Sequence, residues 1–317
     1  MKTPKYWKTT NPISTLLSPL GAVYGLVTAM RLKFNKGYKA HIPVICVGNI
    51  LAGGVGKTPI SIALAKLLIN NGKNPFFISR GYGGSLSGVL VDLKQHTARD
   101  VGDEPLMLAH IAPTVVCSDR AKAAKIAEES GADVLIMDDG FQNPTLRKDI
   151  SFLVFNGETG IGNGKILPAG PLRESLKSGL KRADAVILIG KDNTNLTQNI
   201  NKPCFEVEIK EEKPQNITQK VLAFAGIGYP MKFYNSLMKC GLTIAKKYDF
   251  EDHHFYKIPE LKRLIREADE ADLALFTTMK DFVKIPTDLR PHFNVLNINA
   301  EFKNKKALLD FISSKAS

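Results

Sequence analysis

The chain has 317 residues, 44% of them hydrophobic and 23% charged, which is enough for about two domains and too apolar for a disordered protein. Its formal charge of +12 is unevenly spread: residues 1–91 hold eleven Lys or Arg and no acid, while the other 226 hold 32 basic and 31 acidic side chains. That asymmetry excludes a uniformly basic nucleic-acid coat and points to one face that meets an anionic partner.

Between Lys8 and Arg31 lie 22 uncharged residues. A spanning helix needs about 20 predominantly apolar residues, but this run contains Asn11, Pro12, Ser14, Thr15, Ser18, Pro19 and Thr28. No convincing small-residue cleavage site of a secretory signal precedes Arg31. Helical spacing, by contrast, aligns Leu16, Leu20, Val23, Val27, Met30 and Phe34 on one face, and Ser14, Ser18, Gly21, Gly25 and Thr28 on the other. With Lys2, Lys5, Lys8, Arg31, Lys33, Lys36 and Lys39 flanking it, this stripe favours a helix lying in a membrane interface over residues 1–40. A helix packed on the protein's own core is the competing reading, and a spanning helix is the third.

After Pro43, β-branched runs alternate with helical stretches. Strands are expected at 44–50, 76–80, 114–118, 134–138, 150–155 and 185–190, with helices at 57–70, 119–130 and 172–182. Continuous apolar strands between helices imply a mostly parallel sheet covered on both faces, within a P-loop-type domain spanning 41–209. The polar stretch 210–220 reads as a connector. Beyond it a smaller α/β domain is expected over 221–317, with strands at 221–228, 243–249, 273–278 and 293–298, helices near 231–240 and 258–268, and a last helix from about Glu301. The four cysteines lack any close ligand spacing, so neither a zinc site nor a disulfide framework is indicated and a reducing cytosolic compartment is the default.

The strongest motif is Gly53-Gly54-Val55-Gly56-Lys57-Thr58 between a strand and a helix. In such a loop the backbone N–H groups turn around a phosphate, the Lys reaches the terminal phosphates and the Thr hydroxyl ligates Mg²⁺. The full pattern begins with Gly, where this chain has Leu51. A second apolar strand ends in Asp138-Asp139, where a metal-supporting acid belongs. Adjacent strand residues point to opposite faces, so the two acids need not share a job. Shorter stretches include Ser79-Arg80-Gly81-Tyr82-Gly83-Gly84, a flexible loop suited to an anionic or sugar-like group, and Gly102-Asp103-Glu104-Pro105 at a helix start. Arg173-Glu174 follow a Pro- and Gly-rich turn, and Asp252-His253-His254 follow a strand of the second domain. Taken singly, an Asp or His of this kind is more often a satisfied structural group.

In this order, VGNILAGGVGKTP, SRGYGG, GDEP, SDR, DDGFQ, LPAGPLRE, AFAGIGYP, DFEDHH and TTMKD resemble the tetraacyldisaccharide 4′-kinases of lipid A synthesis over nearly the whole chain. The resemblance implies transfer of the ATP γ-phosphate to the 4′-hydroxyl of an acylated glucosamine disaccharide 1-phosphate, by a peripheral protein on the cytoplasmic face of the inner membrane. It implies that Lys57 and Thr58 hold the β/γ-phosphates and Mg²⁺, with Asp138, Asp139 and Glu174 around the metal. Asp103 becomes the base, with His253 assisting it across the domain cleft, and Arg120 and Arg173 offset phosphoryl charge. Arg80, Tyr82 and Glu104 are the candidate substrate contacts. Two residues depart from the family's usual pattern: Asn143 stands where His follows DDGFQ, and Met279 replaces the acid of TTEKD.

The rival is a membrane-associated P-loop ATPase of the partition or spatial-regulator type. Its loop carries a signature Lys where this chain has Ala52, and its membrane helix is usually C-terminal. A non-catalytic nucleic-acid module is disfavoured by the long uncharged, largely apolar run between Lys8 and Arg31. Nucleic acid is not an expected partner, and no obligate protein partner is indicated.

Overall fold

Apolar runs with no polar alternation can be buried only on both faces, and among the described residues five strands, Val44–Gly48, Pro75–Ser79, Thr114–Val116, Val134–Asp138 and Ala185–Ile189, are buried at every position. The computed structural model describes residues 4–34, 37–212, 214 and 220–316. Lys2, Lys36 and most of the connector expected at 210–220 lie outside the described residues. In chain order the first half forms α1 (Pro12–Leu16), α2 (Ser18–Phe34), β1 (Val44–Gly48), α3 (Lys57–Ile69), β2 (Pro75–Ser79), β3 (Val89–Leu90), α4 (Ala98–Val101), α5 (Asp103–Ala109), β4 (Thr114–Val116), α6 (Arg120–Glu129), β5 (Val134–Asp138) and β6 (Ile150–Asn156). There follow α7 (Leu176–Arg182), β7 (Ala185–Ile189), β8 (Cys204–Glu211), β9 (Lys220–Ala225), α8 (Pro230–Lys239), β10 (Thr243–Asp249), α9 (Ile258–Glu270), β11 (Ala274–Thr277), α10 (Met279–Phe282), β12 (Asn294–Val295), β13 (Ile298–Phe302) and α11 (Lys305–Ala316).

Among the described residues nine strands build the larger sheet in the order β13-β8-β7-β6-β1-β5-β2-β4-β3. Of the strand pairs in this sheet formed by the described residues, the outer two, β13–β8 and β3–β4, are antiparallel and the others parallel. Alternate β1 residues face opposite layers: Val44 and Cys46 join a core with α6 and α7, whereas Ile45 and Val47 join one with α3, α5 and α11. β1 therefore lies mid-sheet between β5 and β6, and the loop after it opens at the carboxyl edge, where α/β sheets place their ligands. The smaller sheet, β10-β9-β11-β12, is all parallel and lies between α8 and α9.

Two expectations are corrected. The chain from 221 onward is not one unit: β13 pairs with β8, and Phe302, Leu308 and Ile312 fill the α3 side of the larger sheet. Burial of that apolar face outweighs sequence proximity. The last helix accordingly starts at Lys305 and not near Glu301. β8 had no expected counterpart, because its alternating CFEVEIKE pattern is only half-buried and carries charge on its solvent face.

Asn11 starts the N-terminal arm with a reciprocal cap: its Oδ1 accepts from the Ser14 N–H and the Ser14 hydroxyl accepts from its N–H, both at 3.0 Å. α2 then rests on the body by its small residues. A Cβ on Gly21 would meet the Ile166 carbonyl oxygen at 2.8 Å, and one on Gly25 the Ile166 Cδ1 at 2.9 Å. Lys165 Nζ donates to the Thr15 and Ser18 hydroxyls, Trp7 Nε1 to the Pro168 carbonyl and Arg31 to the Gln142 carbonyl. The face turned outward is the apolar one, with Leu16 80% and Phe34 77% exposed and Leu20, Val23, Val27 and Met30 exposed between them. Core packing of the stripe is thereby excluded. Among the described residues no helix is long and apolar enough to cross a membrane.

Candidate active site

The loop from Gly48 to Lys57 holds two glycines at positive φ, Gly53 at 112° and Gly56 at 96°, the latter capping α3. Leu51, the departure from the usual first glycine, is a buried residue bridged antiparallel to Leu172. Ala52 N–H donates to the Pro171 carbonyl and Arg173 N–H to the Ile50 carbonyl, each at 2.7 Å. This short ribbon holds the LPAGPLRE segment against the loop and delivers Arg173 and Glu174 beside it. A side chain packed in the core thus takes the place of a flexible position.

Asp138 and Asp139 divide their partners as alternation demands. Asp138 Oδ2 accepts from the Thr58 hydroxyl and Oδ1 from the Ser61 hydroxyl, both at 2.9 Å. Burial, with the charge of Glu104 adding to it, pushes the Asp138 carboxyl up to about 6. Asp139 has φ of 54° and turns toward Lys57 Nζ at 3.4 Å and Arg173 Nη1 at 4.0 Å. Gln142 ties the rest together: its Nε2 donates to the Asn49 carbonyl at 2.7 Å and to Glu174 Oε1 at 3.2 Å, and its Oε1 accepts from Arg173 at 3.3 Å. Arg182 pairs with Glu174 Oε1 at 2.5 Å over the face of Phe141. Glu174 Oε2 is buried with no hydrogen-bond partner among the described residues.

Arg120, only 4% exposed, donates to the Ser79 and Cys117 carbonyls, while its Nε has no hydrogen-bond partner among the described residues. Burial, together with the nearby charge of the exposed Arg80, lowers its guanidinium to about 10. A buried cation whose hydrogen bonds among the described residues go to carbonyls, and which lies near a second cation, suits an anion.

The third cluster joins the two sheets. Asp103, 4% exposed at the start of α5, accepts from the Glu104 N–H at 2.8 Å and lies 3.0 Å from His253 Nδ1. Burial raises the Asp103 carboxyl, but the His253 hydrogen bond and the Lys280 charge outweigh it and hold it below the ordinary value. The Asp103 hydrogen bond raises the His253 imidazole. Tyr82, largely exposed, sets its ring 5.2 Å from that of His253. Glu104 links this cluster electrostatically to Asp138 and pairs with Lys280 at 3.5 Å. Beside it, Met279, Val283 and Phe255 pack on Ala98, Val101, Leu106 and Val116, an apolar seam between the units.

The chain therefore brings the loop residues, Asp138, Asp139, Arg173 and Glu174 into one group and Asp103, Glu104, His253 and Tyr82 into another, with Arg80 and Arg120 adjacent to each other. Sequence reading passed over Gln142, Arg182, Ser61 and Lys280. Gln142 and Lys280 lay inside quoted motifs, but no spacing rule assigned them a partner. Asn143 folds back on its own loop, its Oδ1 accepting from the Thr145 N–H at 2.9 Å and hydroxyl at 2.7 Å.

The family model described as Tetraacyldisaccharide-1-P 4′-kinase matches residues 13–317. The chain belongs to this kinase family. A tetraacyldisaccharide 4′-kinase of Paramagnetospirillum magneticum is 44% identical over 95% of each chain, and one of Gluconacetobacter diazotrophicus 41% identical over the full length of both. Among solved structures, LpxK from Aquifex aeolicus, crystallised with ATP, superposes with a TM-score of 0.78 at 27% identity over 96% of this chain and all of that one. Family membership over nearly the whole chain sets aside the partition-type ATPase. The fold is the P-loop kinase fold of the family, with its second, smaller α/β unit.

Proposed function

We propose that this family member transfers the γ-phosphoryl group of ATP to the 4′-hydroxyl of a tetraacylated glucosamine disaccharide 1-phosphate at the cytoplasmic surface of the inner membrane. The observation that carries the chemistry is the Asp103–His253 pair, 3.0 Å apart and within electrostatic reach of the phosphate loop through Glu104.

Phosphoryl transfer is governed by positioning and charge stabilisation. The backbone of Gly53, Gly54, Val55 and Gly56 cradles the phosphates, and Lys57 leaves Asp139 to neutralise the terminal ones. Arg173, Arg120 and Arg80 surround developing negative charge. The carboxylate of Asp103 takes the proton of the sugar hydroxyl as its oxygen bonds to phosphorus and the bond to ADP breaks. His253, donating from Nδ1, steadies that carboxylate, and a base so placed contributes about 10²–10⁴-fold. Tyr82 offers its exposed ring to the sugar.

The Thr58 hydroxyl and the Asp138 carboxylate, 2.9 Å apart, are hard oxygen donors that fit Mg²⁺, and Asp139 and Glu174, whose Oε2 has no hydrogen-bond partner among the described residues, would support it from nearby. No group of three or more His, Cys, Asp or Glu that could hold a metal ion exists among the described residues, so these side chains would not hold the ion by themselves and phosphate oxygens of the nucleotide would complete its ligands. Bound with the nucleotide, Mg²⁺ supplies charge neutralisation to the phosphate oxygens.

The outward apolar face of α2, flanked by lysines and Arg31, supports docking into an anionic bilayer interface that also holds the substrate's acyl chains. Incubation of the protein with labelled ATP, Mg²⁺ and the monophosphorylated disaccharide lipid in detergent tests the reading. Label in the lipid supports it, and ATP hydrolysis without lipid labelling overturns it.

A further inference from the structure

Lys280, at the start of α10, reaches from the smaller unit into a ring of four groups. Its Nζ lies 3.2 Å from His253 Nε2, 3.4 Å from Asp252 Oδ1, 3.5 Å from Glu104 Oε1 and 3.9 Å from Asp103 Oδ2. The neighbouring Asp281 fixes its approach: fully buried, it accepts from the Gly226 N–H at 3.0 Å, the Tyr256 hydroxyl at 2.9 Å and the Thr278 hydroxyl at 2.7 Å, which pins α10 beneath the cleft.

An ammonium has donors and no acceptor. Nε2 of His253, facing Lys280, must therefore accept, which leaves the single ring proton on Nδ1, the atom turned to Asp103. We propose that Lys280 is a positioning residue of the reaction, holding His253 neutral as the Nδ1–H tautomer so that its proton is donated to Asp103. The proposal rests on the reading of Asp103 as the base of the kinase reaction.

The surrounding charges show why a cation is needed. Asp252 Oδ1 lies 3.9 Å from His253 Nε2 and would draw a second proton there. Lys280 stands between these demands, pairing with Asp252 while donating to the ring. Asp103 faces His253 and Lys280, and the charge of Lys284 reaches it as well. Burial lowers the Lys280 ammonium, but the three carboxylates around it prevail and keep it charged. Were His253 to become an imidazolium, Asp103 would be a weaker base.

The test uses the full chain labelled with [¹⁵N]histidine, the His253 ring signals being assigned by their loss in His253→Asn. At pH 8.5 the wild-type ring should show a protonated Nδ1 and an unprotonated Nε2. In Lys280→Met, Asp252 is unopposed, so the ring should take its second proton at a pH higher by about 1 unit. The acid limb of the kcat profile for lipid phosphorylation should move upward with it, with kcat about 10-fold lower and KM for ATP within about 2-fold. A wild-type ring protonated on Nε2 at pH 8.5 overturns the proposal, whether or not Lys280→Met folds. An unmoved ring titration in folded Lys280→Met also overturns it, even if kcat falls. Absence of lipid labelling by wild type would overturn the kinase reading alone, because the ring nitrogens report on Lys280 without turnover.

Discussion

Asp103 and His253 stand 150 positions apart in the chain, yet the Asp103 Oδ2 and His253 Nδ1 atoms lie 3.0 Å from each other across the seam between the two sheets. Neither unit contains the pair alone. Replacing Asp103 by Asn keeps the shape and removes the basic oxygen. Asp103→Asn should lower kcat about 10²-fold or more while KM for ATP stays within about 2-fold. A rate near wild type in steady-state lipid phosphorylation would remove Asp103 from the base role.

The same pair dictates a pH dependence. His253 is raised above the ordinary imidazole value and Asp103 is held below the ordinary carboxylate value. On acidification the first proton taken up by the pair therefore goes to the imidazole, and the acid limb of kcat follows it. In His253→Asn only the carboxylate remains to titrate, so the acid limb should move down toward the carboxylate range. A profile of kcat between pH 4.5 and 8.5 measures this, and an unshifted limb would contradict the assignment.

The outward stripe of α2 makes a prediction about partition. Leu20 and Val27 are exposed and touch no core, so Leu20→Glu with Val27→Glu should leave Tm within about 2 °C of wild type. Co-sedimentation with anionic liposomes should fall about 10-fold or more, since two apolar contacts are lost and two like charges are brought to the surface. Equal sedimentation of variant and wild type would refute docking through this face.

Gly21 is the tightest contact between helix and body, with a carbonyl oxygen 2.8 Å from where its Cβ would stand. Gly21→Leu should displace α2 at a cost of about 1–3 kcal/mol, exposing the arm to limited proteolysis. Gly25→Ala meets only the tip of Ile166, which can turn aside, and should be far milder. Equal protease resistance of all three proteins would contradict this packing.

The central sheet was legible because strands such as Val134–Asp138 are apolar without interruption, and the loop at Gly53–Thr58 because glycines, Lys and Thr occur between a strand and a helix. The outward face of α2 was legible too, from the segregation of Leu and Val from Ser and Gly. The return of β13 to the larger sheet was not, since no local pattern says which of two sheets a short strand will join. Leu51 looked like a flaw in a motif until its bridge to Leu172 showed a core position. Lys280 was hidden for a similar reason: its partners come from two distant segments that only the assembled seam brings within 4 Å.

The arm carries one more consequence. Lys165 holds its beginning and Arg31, bonded to the Gln142 carbonyl, holds its end, and Gln142 also touches Arg173 and Glu174. Fastened at both ends, α2 is a fixed standoff and not a tether. On the docking proposed above, the body would have one height and one tilt over the lipid plane, and the reaction centre would be set to a single depth. Headgroup reach would then act as a selection rule on that proposal, because a sugar hydroxyl carried higher or lower over its acyl anchors would meet Asp103 out of register.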